Sequence, residues 1–261
     1  MTLLLTFEAL DNRKISLSSP VMMTYHAASM PPSKIGLRAG QSLSVENAIK
    51  ALVTKSANDV AVALGEKLGG DRFAQMMTAK ARQIGMSQSN FVNAAGLHNS
   101  KQTSSARDMA KLALYILQHY PHYYSLFSLR EFYFNGKSYH NHNRLMSSYR
   151  GMDGMKTGYI SQSGFNLVAS AKRNNVRLIG VIFGGKTANS RNAQMEKLLD
   201  DGFARIGQLR RMSPRIASLP KTKTAEPILR DTAPAPAIMP PRRPEGIPQY
   251  QMSGETPLPQ A

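Results

Sequence analysis

Gly151-Met152-Asp153-Gly154-Met155-Lys156-Thr157-Gly158 leads into Gly164-Phe165-Asn166-Leu167-Val168-Ala169-Ser170, and the reading of this stretch decides the fold. Lys156-Thr157-Gly158 is expected at the start of a sheet strand. Lys156 supplies a point charge suited to a carboxylate, and Thr157 supplies a hydroxyl donor. Gly158 lets a ligand come close to the strand backbone. The plain alternative is a solvated strand end followed by a turn. Lys-Thr recurs at Lys186-Thr187, Lys221-Thr222 and Lys223-Thr224, but only Lys156-Thr157 is followed by Gly.

Downstream of this stretch, Phe165–Ala171 and Val176–Phe183 flank Asn174-Asn175, which predicts a hairpin with a tight turn. Val176–Phe183 is nearly all apolar, as expected of a central strand covered on both faces. Residues 130–134 and 137–142 flank Asn135-Gly136 and predict a second hairpin. Helices are expected earlier. Thr2–Leu10 has Leu3, Leu4, Phe7 and Leu10 at helical spacing. Ser44 is a plausible cap for Val45–Lys55, and Asp59 for Val60–Leu68. Further helices are predicted over Asp71–Ile84 and from Ser104 or Ser105 to just before Pro121. Asn189 or Ser190 is expected to cap a last helix containing Met195, Leu198, Leu199 and Phe203. Helices first, hairpins next and a closing helix predict a mixed α/β fold of the α+β kind, with helices packed on an antiparallel sheet.

The 261 residues include 33 Lys and Arg against 16 Asp and Glu, a net charge of +17. Such a surface attracts anionic polymers: nucleic acid, anionic lipid or acidic cell-wall glycan. Eleven prolines fall between Pro214 and Pro259, with few apolar residues between them. That composition builds neither a core nor a ladder. Residues 208–261 are therefore expected to form a basic, Pro-rich, flexible tail behind a folded domain of residues 1–207. With no Cys there is no disulfide, thiolate nucleophile or Cys-ligated zinc. Nothing approaches about 18 consecutive apolar residues, so no membrane-spanning helix is expected. Met1–Leu10 lacks the charged start and small-residue cleavage site of a signal peptide. His119 and His122, and His140 and His142, lie close in sequence, but no Asp, Glu or further His completes a metal site. Gly184-Gly185-Lys186-Thr187 lacks the upstream Gly of a phosphate-binding loop. No cofactor is expected, and no nucleic-acid motif accompanies the charge.

Ser56-Ala57-Asn58 sits between two predicted helices. Alone it reads as an ordinary helix–helix turn, and Ser190-Arg191-Asn192 repeats the pattern where only a helix start is expected. Paired with Lys156-Thr157-Gly158, it gains weight. Ser-x-Asn and Lys-Thr-Gly are two of three signatures of penicillin-binding proteins and serine β-lactamases. The third, Ser-x-x-Lys with its nucleophile, is expected to be absent.

The agreement extends to 52–61, to Phe91-Val92-Asn93-Ala94-Ala95-Gly96-Leu97, to 103–108, to 127–134 and to 153–170. Over residues 1–206 the chain resembles the D-alanyl-D-alanine carboxypeptidases, low-molecular-weight penicillin-binding proteins. The resemblance implies a helical lobe against an antiparallel sheet flanked by helices, lacking its first strands. It implies a serine-type peptidase of the periplasm or cell envelope that removes the terminal D-Ala from peptidoglycan pentapeptide stems through an acyl-enzyme. By the same resemblance, Ser56 belongs to the proton-transfer network and Asn58 hydrogen-bonds the substrate backbone. Lys156 and Thr157 hold the substrate carboxylate, Gly158 completes their motif, and the Tyr159 N–H forms half of an oxyanion hole. Met1-Thr2-Leu3 resembles the stretch just past Ser-x-x-Lys. The chain is accordingly expected to be truncated and inactive, with β-lactams reacting only once the segment ahead of Met1 is restored. Ile160 stands where many relatives have Thr. The family's C-terminal β-domain and amphipathic membrane anchor are not visible in residues 208–261. A peptidoglycan-binding protein without catalysis is the alternative; a basic nucleic-acid binder is a third reading.

Overall fold

The computed structural model describes residues 1–212. Helix α1 (Thr2–Asp11) carries apolar residues on several sides and lies inside the helical part of the molecule, with Leu4 and Phe7 fully buried. Strand β1 (Pro20–Met22) pairs antiparallel with β2 (Ser42–Ser44), and the short α2 (Tyr25–Ser29) lies between them in sequence. These strands escape sequence reading because three residues are too few to display a period. Helix α3 (Val45–Lys55) starts at Ser44, whose hydroxyl accepts from Asn47 N at 3.2 Å.

Helix α4 (Asn58–Gly69) begins before the expected Asp59 cap, with Ala57 at the cap position. Asp59 is fully buried and does other work. It accepts from Gly36 N at 2.9 Å, Ile35 N at 3.3 Å and Val60 N at 2.9 Å, tying the 35–36 loop to the helix start. The helix expected over Asp71–Ile84 divides into a 3-10 turn (Gly70–Arg72) and α5 (Phe73–Gln83). Helix α6 (Ala106–His119) starts at Ser105, which accepts from Asp108 N at 3.2 Å, and α7 (Pro121–Tyr124) follows with Pro121 in its first turn.

The hairpin of β3 (Glu131–Phe134) and β4 (Lys137–His140) turns through Asn135 and Gly136, both at positive φ. After the short α8 (Leu145–Ser148) come β5 (Met152–Ile160), β6 (Gly164–Arg173) and β7 (Val176–Gly185). They form an antiparallel sheet in the order β5-β6-β7. Asn174 and Asn175, at φ 46° and 60°, close the β6–β7 turn. Asn tolerates this left-handed backbone better than most residues, which is why Asn-Asn signals the hairpin.

Two expectations about this sheet change. Lys156 lies fifth in the nine-residue β5, not at its start. Strand β7 is covered on both faces, with Ile179 and Val181 against the helical core and Ile182 against the last helix. It is nonetheless the edge strand of the three, and β6 is central. An apolar run reports cover on its faces but not a neighbour on each edge.

Helix α9 (Ala188–Met212) closes the second core, where Met195 and Leu199 pack on Leu167, Ala169 and Ile182. Gly180 permits this approach, since a Cβ there would lie 2.5 Å from Met195 Sδ. The helix begins two to three residues earlier than a cap at Asn189 or Ser190 implies. Thr187 and Ser190 cap it reciprocally: Ser190 N donates to Thr187 Oγ1, and Thr187 N to Ser190 Oγ, each at 3.0 Å. It also passes the expected domain boundary at residue 207. Helix-forming Gln and Arg residues continue the pattern, and Arg210 and Arg211 suit the negative end of the helix dipole. The rest of the predicted tail, residues 213–261, lies outside the described residues.

Asp59 generates a stability prediction. Asp59→Ala strips the part-buried Ile35 N and Gly36 N bonds of their acceptor, which costs about 1–3 kcal/mol. Urea unfolding of the variant should show a lower midpoint with an unchanged slope; an unchanged midpoint would contradict this role.

Candidate active site

The turn between α3 and α4 sets the first wall of the site. Ser56 ends α3 in the left-handed conformation, φ 54° and ψ 44°. For a non-glycine residue that pose costs about 1–2 kcal/mol. It reverses the chain, and Ala57 then runs extended into α4. The Ser56 hydroxyl meets β5 across the molecule: Lys156 Nζ donates to Ser56 Oγ, from a residue 100 positions away in sequence. The same ammonium donates to Thr157 O at 3.0 Å.

Ser56, Asn58, Lys156, Thr157, Gly158 and Tyr159, all singled out from the sequence, line one cleft of about 920 Å³. Asn58 is strapped to the neighbouring loop. Its backbone N donates to Ser33 O at 2.7 Å and its Nδ2 to Pro31 O at 3.0 Å. Ser33 Oγ in turn donates to Lys55 O at 2.8 Å. Strand β5 pairs only with β6 among the described residues, leaving its cleft-side edge open. A Cβ on Gly158 would meet Asn166 Cβ at 3.8 Å, an ordinary contact, so packing within the chain does not demand glycine there. The exposed Tyr159 ring packs on Phe165, with ring centroids 4.5 Å apart.

The electrostatics of the cleft are one-sided. Burial, and then the neighbouring Arg191 charge, bring the Lys156 amine down to about 8. Arg191, only 3% exposed, projects from the first turn of α9. It donates from one guanidinium nitrogen to Asn166 O at 2.9 Å and from Nε to Asn192 Oδ1 at 3.0 Å. Burial lowers its own pKa. His142 lies at the same cleft, its pKa lowered by burial first, then by Lys156 and Lys55. Among the described residues, no Asp or Glu lines the cleft. A cationic cleft whose charged groups are partly buried attracts a carboxylate.

Sequence reasoning missed Arg191 and His142. Arg191 stands inside Ser190-Arg191-Asn192, which was expected to mark only a helix start. A buried cation in the first turn of a helix opposes the helix dipole, and that local mismatch was the available signal. His142 reads from the sequence only as a possible metal ligand. Among the described residues no group of three or more metal-ligating side chains forms, and no helix is long and apolar enough to cross a membrane. One sequence statement needs correcting. A Ser-x-x-Lys string does occur, at Ser218-Leu219-Pro220-Lys221, but it follows Lys-Thr-Gly and lies outside the described residues.

The pattern of the peptidase S11 family, D-alanyl-D-alanine carboxypeptidase, matches residues 1–187, ending earlier than the 1–206 of the sequence resemblance. The chain is 38% identical over 215 residues to D-alanyl-D-alanine carboxypeptidase DacF of Bacillus subtilis, covering 78% of this chain and 54% of that protein. It spans about half the length of the curated relatives it matches. Penicillin binding protein 5 from Haemophilus influenzae superposes with a TM-score of 0.73 at 36% identity, over 78% of this chain and 62% of that one. A cefotaxime-bound penicillin-binding protein from Listeria monocytogenes gives a TM-score of 0.69 at 29% identity, over 77% and 85%. With the helical lobe, the antiparallel sheet and both signature motifs at one cleft, this family match makes the chain a member of the D-alanyl-D-alanine carboxypeptidase family.

Proposed function

We propose that the cleft binds the D-alanyl-D-alanine end of peptidoglycan pentapeptide stems, and that the protein's activity is removal of the terminal D-Ala in the cell envelope. The observation carrying this reading is the Lys156–Ser56 contact at a cleft lined, among the described residues, by cations and by no acid. The substrate's free carboxylate is drawn to Lys156 and Arg191, and the Thr157 hydroxyl donates to it. Asn58 holds the peptide backbone, and the Tyr159 N–H polarises the scissile carbonyl.

In the family's reaction a serine oxygen attacks the carbonyl carbon of the penultimate D-Ala. The C–N bond breaks, the terminal D-Ala leaves with a proton on its amine, and water hydrolyses the ester. Ser56, hydrogen-bonded to an amine that titrates near 8, is suited to pass that proton. Among the described residues, Lys156 is the only lysine lining the cleft, so Ser56 has no second lysine among them to act as its base. That favours a second reading for residues 1–261 by themselves: they bind the peptide terminus without turning it over.

Two outcomes test these readings. Fluorescent penicillin should leave residues 1–261 unlabelled after denaturation, and a covalent label on Ser56 would contradict this. Joining ahead of Met1 the segment that carries Ser-x-x-Lys in a relative should bring labelling and release of D-Ala from pentapeptide. In that chain Lys156→Ala should slow acylation by about 10²-fold; acylation at the unmodified rate would remove Lys156 from the site.

The amine itself supplies a further check. NMR of Lys156 Nζ should give a midpoint near 8. Arg191→Gln removes the second of the two causes and should move that midpoint upward. A midpoint at the ordinary lysine value in the unmodified chain would contradict the buried site.

A further inference from the structure

His142 occupies a position built for it. The segment 141–143 leaves β4 and is fixed on both sides of the histidine. Asn141 N donates to Arg130 O and Asn141 Nδ2 to Leu129 O, each at 2.8 Å. Asn143 N donates to Asn141 Oδ1 at 2.8 Å. The Asn143 side chain is buried, and its Nδ2 reaches Gly154 O at 3.4 Å, two residues before Lys156 on β5. His142 is thereby set on the lip of the cleft. It is exposed as a residue, yet close enough to the wall for burial to disfavour its charge.

The charges around it are all positive on the cleft side: Lys156 from β5, Lys55 from the end of α3, and Arg191 from α9 at the same cleft. Arg144 follows two residues on. The only acid on the adjoining hairpin, Glu131, faces His140 at 3.8 Å and accepts from Ser138. With the cleft empty, burial first and then Lys156 and Lys55 lower the imidazole's pKa. An incoming carboxylate reverses the sign of the local field and favours protonation.

We infer that His142 is a specificity-determining residue of this cleft. Its imidazolium joins Lys156 and Arg191 in holding the free carboxylate of a D-alanyl-D-alanine terminus, so the cleft selects peptide acids over peptide amides and does so more strongly as the pH falls. This rests on the reading of the cleft given under Proposed function. The sign follows from linkage. A ligand that favours the protonated form is bound with proton uptake, so its affinity rises as pH falls through the midpoint of the complex.

The test uses the full chain, diacetyl-L-lysyl-D-alanyl-D-alanine and its C-terminal amide. Dissociation constants are read by NMR at about pH 5.5 and about pH 7. Lys156 stays largely protonated over that window because its amine titrates near 8. The unmodified chain should bind the acid about two- to fivefold more tightly at the lower pH, the range of a solvent-accessible ion pair. His142→Gln should lose that gain, and His142→Arg should bind tightly at both pH values. Saturation with the acid, but not with the amide, should raise the midpoint of the His142 ring signals. If the acid binds but its pH dependence survives in His142→Gln, or the His142 midpoint stays fixed, the inference is overturned and the carboxypeptidase reading stands. If neither the unmodified chain nor His142→Arg binds the acid at either pH, both are overturned.

Discussion

The contact between the Lys156 ammonium and the Ser56 hydroxyl is what the rest of this structure serves. It links the sheet to the helical lobe across the cleft, beside the shared core to which Met155 and Val168 belong. Neither residue suits this place by local preference. Ser56 adopts a left-handed backbone that costs about 1–2 kcal/mol, and Lys156 gives up hydration. A protein keeps such costs where the surrounding fold over-determines them, which is the usual signature of a working site.

The surroundings supply that constraint in layers. Asp59 and Asn58 clamp the 31–36 loop beside the α3–α4 turn, so Ser56 is flanked by fixed backbone. Asn143 fixes the segment after β4 to β5 near Lys156. Arg191, anchored by Asn166 O, stands at the cleft from α9, itself held to the sheet by Met195 and Leu199. The cationic groups therefore arrive from three directions, on separate elements. Their mutual repulsion is tolerated because the cleft is open to solvent and to an anionic ligand. Burial first, and then the Arg191 charge, depress the Lys156 pKa.

Much of the architecture was legible because its signals are local. Ser44 and Ser105 cap the helices they precede, and Asn135-Gly136 and Asn174-Asn175 mark turns that need positive φ. The Ser-x-Asn and Lys-Thr-Gly residues were legible because each motif concentrates several chemical requirements in three positions. Their convergence was not legible from spacing and needed the family resemblance. Features set by tertiary packing were missed. Asp59 looked like a cap but serves a loop, and β7 looked central but forms an edge among the described residues. Arg191 and His142 reach the cleft from distant elements, with no motif to announce them. The end of α9 was placed early because proline density downstream weighed more than the helix propensity of the arginines before it.

The central claim is that this cleft receives the carboxylate end of a D-alanyl-D-alanine peptide between β5 and the α3–α4 turn. A crystal structure of residues 1–261 with diacetyl-L-lysyl-D-alanyl-D-alanine tests it most directly. The account predicts the terminal carboxylate within about 3 Å of Lys156 Nζ or Thr157 Oγ1, and the peptide backbone beside Asn58. A peptide bound with its carboxylate pointing out of the cleft, or seated elsewhere on the molecule, would contradict it.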